Sequence, residues 1–218
     1  MKETLTYWQG SSLYINPSSR CTNRCLFCVK NFAEGVYGFD LRLKKDPEPQ
    51  QLADAVQKTW NDGFEEAAVV GFGEPLLNLE GTLRAVREIK RRADVPVRIN
   101  SNGHALRIYP GRDVPRELLD AGVERIQVSL NAQDEETYEI LCRPQLKEAV
   151  YDSILEFSER CAQIMELDIS AIELPGVDLD RIARFARRIG ARFRVRGYHG
   201  AYSVEERIRR LLLDRDSM

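Results

Sequence analysis

Three thiols fall within eight residues in the run Arg20-Cys21-Thr22-Asn23-Arg24-Cys25-Leu26-Phe27-Cys28, spaced C-x-x-x-C-x-x-C. Ionised thiols are soft, strong ligands for zinc and iron–sulfur groups, so cysteines this close on one loop can converge on a metal site. Structural zinc closes its tetrahedron with four protein ligands. The candidates for a fourth are Cys142, Cys161, His104 and His199, and none is arranged as a second paired knuckle. Three ligands without an evident fourth favour a site with an open position, against the plainer alternatives of structural zinc or three unrelated buried cysteines. Five cysteines are an odd number, and three of them sit in one short loop, which does not suit a disulfide framework.

The elements that must position this loop follow from hydrophobic periodicity. Short apolar or β-branched runs at residues 13–16, 67–72, 95–100, 125–130, 165–172 and 193–198 read as six strands. Residues 50–62, 79–93, 114–121, 134–160 and 178–189 carry helical spacing, as in Leu83, Val86 and Ile89 or Ile182, Phe185 and Ile189. Repeated strand–helix units imply a parallel sheet covered by helices, since each parallel connection needs a crossover. A full eight-unit barrel takes about 250 residues, so six units in 218 residues imply a partial barrel or an open doubly wound sheet. In either, chemistry belongs at the carboxyl ends of the strands. Residues 17–49 form a connection far beyond about 12 to 15 residues, the length above which connections are usually functional.

With 43% hydrophobic and 30% charged residues the chain is neither disordered nor collagen-like. A net charge of −2 argues against general nucleic-acid binding. Residues 1–10 lack the features of a signal peptide, and no stretch approaches about 18 uninterrupted apolar residues, so the chain reads as cytoplasmic with no membrane partner.

The cysteine triplet, with Phe27 just before its last thiol, resembles the signature of the radical SAM enzymes. Val69-Val70-Gly71-Phe72-Gly73-Glu74-Pro75, at the end of the second strand, is similar to that family's Gly-Gly-Glu-Pro segment with Phe72 inserted. Asn100-Ser101-Asn102-Gly103 and Ser129-Leu130-Asn131-Ala132 resemble its Thr-Asn-Gly and Ser-Leu-Asp-Ala strand ends. The resemblance implies a partial (β/α)6 barrel spanning residues 1–218 as one core domain, with a cluster-binding loop at 17–49 and a short polar carboxyl-terminal tail. It implies that Cys21, Cys25 and Cys28 hold a 4Fe-4S cluster whose fourth iron binds S-adenosylmethionine. Phe27 would then lie against the adenine, Gly73 would allow close backbone approach, and Glu74 would take the methionine ammonium. Asn100, Ser129 and Asn131, and more weakly Ser170, would hydrogen-bond the methionine carboxylate or the ribose. A low-potential donor such as flavodoxin or ferredoxin would supply the electron.

The segments Leu141-Cys142-Arg143-Pro144, Leu174-Pro175-Gly176-Val177-Asp178 and Phe193-Arg194-Val195-Arg196-Gly197-Tyr198 look like the radical SAM proteins associated with TatD-type nucleases. That group name implies a functional link and no substrate. A glycyl-radical-enzyme activase is an alternative, although activases carry Asp and Lys where this chain has Ser129 and Asn131. The alternative from another class is a zinc-stabilised nucleic-acid-binding module using residues 181–218, where eleven Arg outnumber four Asp or Glu. The bland reading of that excess is a solvated helix face and a polar tail.

Arg143-Pro144 reads as a helix breaker, with Cys142 before it a candidate for the substrate cavity. Cys161 reads as a core residue, and His104, after a loop glycine, as an exposed turn histidine. Alternation sends Arg194, Arg196 and Tyr198 to one face of the sixth strand. A barrel covers both faces of such a strand, so Arg196 and Tyr198 are expected beside the cofactor, with Arg196 gripping a carboxylate or phosphate of the substrate.

Overall fold

Side chains alternate between the two faces of a strand, and in the computed structural model, which describes residues 3–213, that alternation sorts one sheet into an apolar and a polar face. The strands are β1 (Thr6–Gln9), β2 (Ser12–Ile15), β5 (Glu66–Val69), β6 (Val97–Ser101), β7 (Arg125–Ser129), β8 (Glu166–Ile172) and β9 (Arg192–Arg196). The pair β3 (Gly35–Val36) and β4 (Phe39–Asp40) forms a separate small hairpin. The seven strands lie in the order β1-β2-β5-β6-β7-β8-β9, all parallel except the antiparallel β1. Crossovers run through α1 (Pro49–Thr59), α2 (Leu79–Arg92), α3 (Ala105–Ile108) with α4 (Val114–Ala121), α5 (Glu135–Cys142) with α6 (Val150–Ala162), and α7 (Leu179–Arg188). Helix α8 (Tyr202–Leu213) follows the last strand. The carboxyl ends of the parallel strands therefore share one edge, as in a partial barrel.

On the helix side Leu13, Ile15, Val69, Val97, Ile99, Ile126, Val128 and Ile169 are buried against Leu52, Val56, Leu83, Val86, Ile154, Phe157 and Ile182. Removing that apolar surface from water is the main drive to fold. Strand register sets a different series side by side on the opposite face. Tyr14, Ala68, Arg98, Arg125 and Glu166 form one row, and Asn100, Gln127, Asp168 and Arg192 the next. Ser129, Ser170 and Arg194 follow, and Ile172 and Arg196 come last, nearest the carboxyl edge. At its β1 end this polar face is closed by Tyr7, Leu41 and Phe72, with Tyr14 and Phe39 of the hairpin packed against them. Asp113, Asp134 and Asp178 cap α4, α5 and α7, accepting from Arg116 N, Thr137 N and Arg181 N, and so start those helices at fixed points of the loops.

The six expected strands are present, and four expectations are corrected. Residues 134–160 are two helices, because Arg143 adopts a left-handed conformation (φ 49°) before Pro144 and the chain turns back toward the cysteine loop. The faces of β9 are not both covered: it is an edge strand, with Arg194 and Val195 exposed. Strand β1 and the hairpin lie outside the expected set. Where a short polar tail is expected after the last strand, the chain forms helix α8 through Leu213, and residues 214–218 lie outside the described residues. Among the described residues no helix is long and apolar enough to cross a membrane.

Candidate functional site

The connection after β2 is fixed before it reaches the thiols. Asn16, fully buried, donates to Thr4 O (2.9 Å) and Leu41 O (2.8 Å) and accepts from Phe72 N (2.9 Å). The end of β5 is then zipped to the approach to Cys21, with Gly73 N to Ser18 O at 2.9 Å and Glu74 N to Arg20 O at 2.7 Å. A Cβ on Gly73 would stand 2.0 Å from Arg20 O, so only glycine fits there. The close approach that this glycine permits is to the chain's own cysteine loop.

On its other side the loop is latched to the end of α5. Arg24 N donates to Cys142 O (2.9 Å), Leu26 N to Leu141 O (2.9 Å) and Gln145 N to Thr22 O (2.8 Å). Beneath them runs a buried side-chain network. Asn102 Nδ2 donates to Thr22 Oγ1 (2.8 Å), Thr22 Oγ1 meets His104 Nδ1 (2.8 Å), His104 Nε2 meets Tyr138 OH (2.8 Å), and Asn23 Nδ2 donates to Tyr138 OH (2.8 Å). With Asn102 supplying one hydrogen to Thr22, the hydroxyl proton is free for Nδ1, and the ring proton on Nε2 then serves Tyr138. A neutral ring suits this chain of contacts, and burial holds the His104 pKa down at about 4. The expectation of an exposed turn histidine is corrected, because His104 is fully buried with both ring nitrogens engaged.

The three thiols are free, half-buried, and line one cleft of about 430 Å³ together with Arg24, Lys30, Arg143 and Arg207. Burial pushes the Cys21 thiol up to about 12 and raises Cys28, while a hydrogen bond with Cys142, then burial, raises Cys25. A coordinating metal reverses this, since it deprotonates a thiol outright. Among the described residues no three His, Cys, Asp or Glu gather closely enough to hold a single metal ion. In type and number the three free thiols lining the cleft suit an iron–sulfur group, which takes one thiolate on each of three irons.

Glu74 is buried and already engaged. Its Oε1 accepts from Leu76 N (3.1 Å) and Ser101 Oγ (2.8 Å), and its Oε2 from Asn102 N (2.7 Å). Burial pushes its pKa up to about 7, with the three hydrogen bonds pulling the other way. It ties the end of β5 to that of β6. Asn100, one position from Ser101, lies on the polar face and accepts from Arg98 (3.1 Å).

At the carboxyl edge Asn131, in a left-handed conformation (φ 60°), donates to Ser129 O (3.2 Å) and accepts from Arg196 Nη2 (3.0 Å). Arg196 is half-buried near Cys25 and Cys142, and its buried Nε has no hydrogen-bond partner. Ser170 is buried and accepts from Gln127 (3.3 Å). The structure thus brings Cys142, Asn131 and Arg196 to the thiols. It does not bring Tyr198, which lies over Gly200 of its own loop with its hydroxyl toward Ala201 O (3.4 Å), nor Arg194, which pairs with Asp168 (3.6 Å). Phe27 is packed into the apolar core, and Cys161 is buried within α6. Sequence reasoning missed Thr22, Asn23, Asn102 and Tyr138. Tyr138 stands one helical turn before Cys142, on the same face of α5, and that spacing was the available signal.

The profile of the Radical SAM superfamily matches residues 15–189. A GTP 3',8-cyclase of Campylobacter jejuni subsp. doylei is 25% identical over 183 residues, covering 84% of this chain and 54% of the relative. The chain thus spans about half the length of the curated relatives it matches. Among solved structures, native anSMEcpe with bound AdoMet superposes with a TM-score of 0.63 at 13% identity, over 86% of this chain and 52% of that one. Coproporphyrinogen III oxidase (HemN) of Escherichia coli, described as a radical SAM enzyme, does so with a TM-score of 0.56 at 17% identity, over 93% and 46%. At these identities the two structures show a shared fold.

Proposed function

The chain belongs to the radical SAM superfamily, whose members bind a 4Fe-4S cluster and S-adenosylmethionine, and from that premise we propose that Cys21, Cys25 and Cys28 hold the cluster for hydrogen-atom abstraction from an anionic substrate. The observation that carries this reading is the three free thiols lining one cleft at the carboxyl edge of the sheet. Bound there, cluster and cofactor supply one-electron cleavage of the sulfonium and a 5′-deoxyadenosyl radical.

The protein's own part is to bind, orient and exclude water. Asn131, Ser129 and Asn100 offer hydrogen bonds along the strand ends, and Glu74 holds the ends of β5 and β6 together while bringing negative charge toward the methionine ammonium. Arg196 is the specificity element. A buried guanidinium Nε without a partner is costly, and a carboxylate or phosphate received bidentately satisfies it. The relatives named GTP 3',8-cyclase carry an anionic nucleotide in their name, in keeping with this class of substrate. We further propose a low-potential donor such as flavodoxin or ferredoxin. On the segments at 141–144, 174–178 and 193–198, we place the chain with the group associated with TatD-type nucleases.

Anaerobic reconstitution tests the reading. Four irons per chain and dithionite-dependent formation of 5′-deoxyadenosine are expected, slow without substrate. Arg196→Lys should keep both while losing turnover of the native substrate. A colourless protein holding one zinc would overturn the proposal.

A further inference from the structure

Among the described residues, sixteen lysine and arginine side chains have a carboxylate within 4 Å, including Arg20, Lys90, Arg112, Arg125 and Arg192. Arg24, Lys30, Arg143 and Arg207 are among the described basic residues that do not, as are Arg87, Arg184 and Arg187, but these four come together on one rim, the cleft that holds the thiols. They come from three places in the fold: Arg24 and Lys30 from the cysteine loop, Arg143 from the left-handed turn after α5, and Arg207 from α8. All four are solvent-exposed. No carboxylate lines the cleft, in a chain whose net charge is −2. Its lining comes from the cysteine loop, the turn after α5 and helix α8, and neither Glu74, Asn131 nor Arg196 is part of it.

Resting on the assignment of the thiols to an iron–sulfur group, we propose that this rim is the docking surface for the electron donor, a small one-electron carrier protein with carboxylates around its own redox centre. Uncompensated charge of one sign at the mouth of a cleft focuses the field and steers an oppositely charged partner to it. Basic residues paired with carboxylates elsewhere on the surface contribute little such field. One electron passes from the carrier to the group that the thiols hold, the carrier is oxidised by one electron, and no bond is made or broken.

The test uses the cluster-loaded protein and flavodoxin as the acidic probe, with binding followed by flavin fluorescence at low and high salt. Wild-type affinity should fall by about tenfold or more on going from 50 to 300 mM NaCl, as expected for contact between exposed charges. Arg143→Glu with Arg207→Glu should weaken binding by about tenfold at low salt, and Arg143→Gln with Arg207→Gln by about threefold. Both pairs should keep their iron and their reduction by dithionite. Arg184→Glu with Arg187→Glu, the same charge change on the exposed face of α7, should leave binding unchanged. Unaltered flavodoxin affinity in both rim pairs, with iron intact, overturns the proposal. So does loss of binding to a single-stranded RNA with flavodoxin binding untouched, which would assign the rim to nucleic acid. A wild-type protein that takes up no iron strikes the assignment of the thiols instead.

Discussion

Burial acts in opposite directions on the acid and the base nearest the thiols, raising the pKa of one and lowering that of the other. The Glu74 pKa is pushed up to about 7 and that of His104 down to about 4. The contribution of His104 to stability is complete above its unfolded value of about 6.5 and is lost as pH falls through about 4, because the unfolded chain takes up a proton that the buried ring refuses. His104→Gln removes that acid limb. Urea unfolding of the cluster-free protein should show the advantage of the wild type over the variant shrinking by about 3 kcal/mol between pH 7 and pH 4. Glu74→Ala strands three donors, so it should cost about 1 to 3 kcal/mol in the same measurement. Replacing any one of Cys21, Cys25 or Cys28 by Ala should abolish iron retention, whereas Cys161→Ala and Cys142→Ala should leave four irons per chain. Iron lost from the Cys161 variant and kept by a triplet variant would reverse the ligand assignment.

The cysteine loop takes its shape from its neighbours: the end of β5 on one flank, and α5 with the turn that follows it on the other. Tyr138 is the joint between loop and helix, since its hydroxyl meets both Asn23 and His104. Tyr138→Phe should cost about 1 to 3 kcal/mol, the penalty for unpaired buried polar groups, and should speed iron release in the presence of a chelator. Iron release at the wild-type rate would show that the backbone latch alone holds the loop. These dependencies explain what could be read from sequence. Residues 79–93 and 114–121 carry a clear 3.6-residue apolar repeat, and helices stand there. The burial of His104 could not be read, because its partners Thr22 and Tyr138 are 82 and 34 positions away. The cysteine triplet was legible because its thiols are close in sequence, whereas the pairing of Arg196 with Asn131 spans 65 positions. Tyr198 was misplaced because alternation ceases where β9 ends at Arg196.

At the scale of the whole molecule, the sheet is a barrel left open between β1 and β9. Central strands such as β6 and β7 are bonded on both sides, while β9 is bonded only to β8. Amides of β9 should therefore exchange with deuterium well before those of β6 and β7, as edges open at lower free energy than the centre of a sheet. Equal protection across these strands would mean that β9 is covered in solution. The polar face behind that opening was only partly foreseen. Parity placed Arg194 and Arg196 together, but the buried Asp168 that holds Arg192 and Arg194 in place depends on register between β8 and β9, and no single strand encodes register.

The latch between the cysteine loop and α5 also has a consequence in time. Asn23 and Tyr138 are 115 positions apart, and Cys21 and Gln145 are 124. A ribosome adding about 5 to 20 residues per second leaves roughly 6 to 25 s between the appearance of the thiols and that of the residues that hold them. Throughout that interval the nascent chain carries the thiols on an unlatched segment, open to oxidation or to stray metal. Delivery of iron and sulfide is thus placed after α5 has emerged, and translation speed becomes one of the variables that set how much of the protein matures.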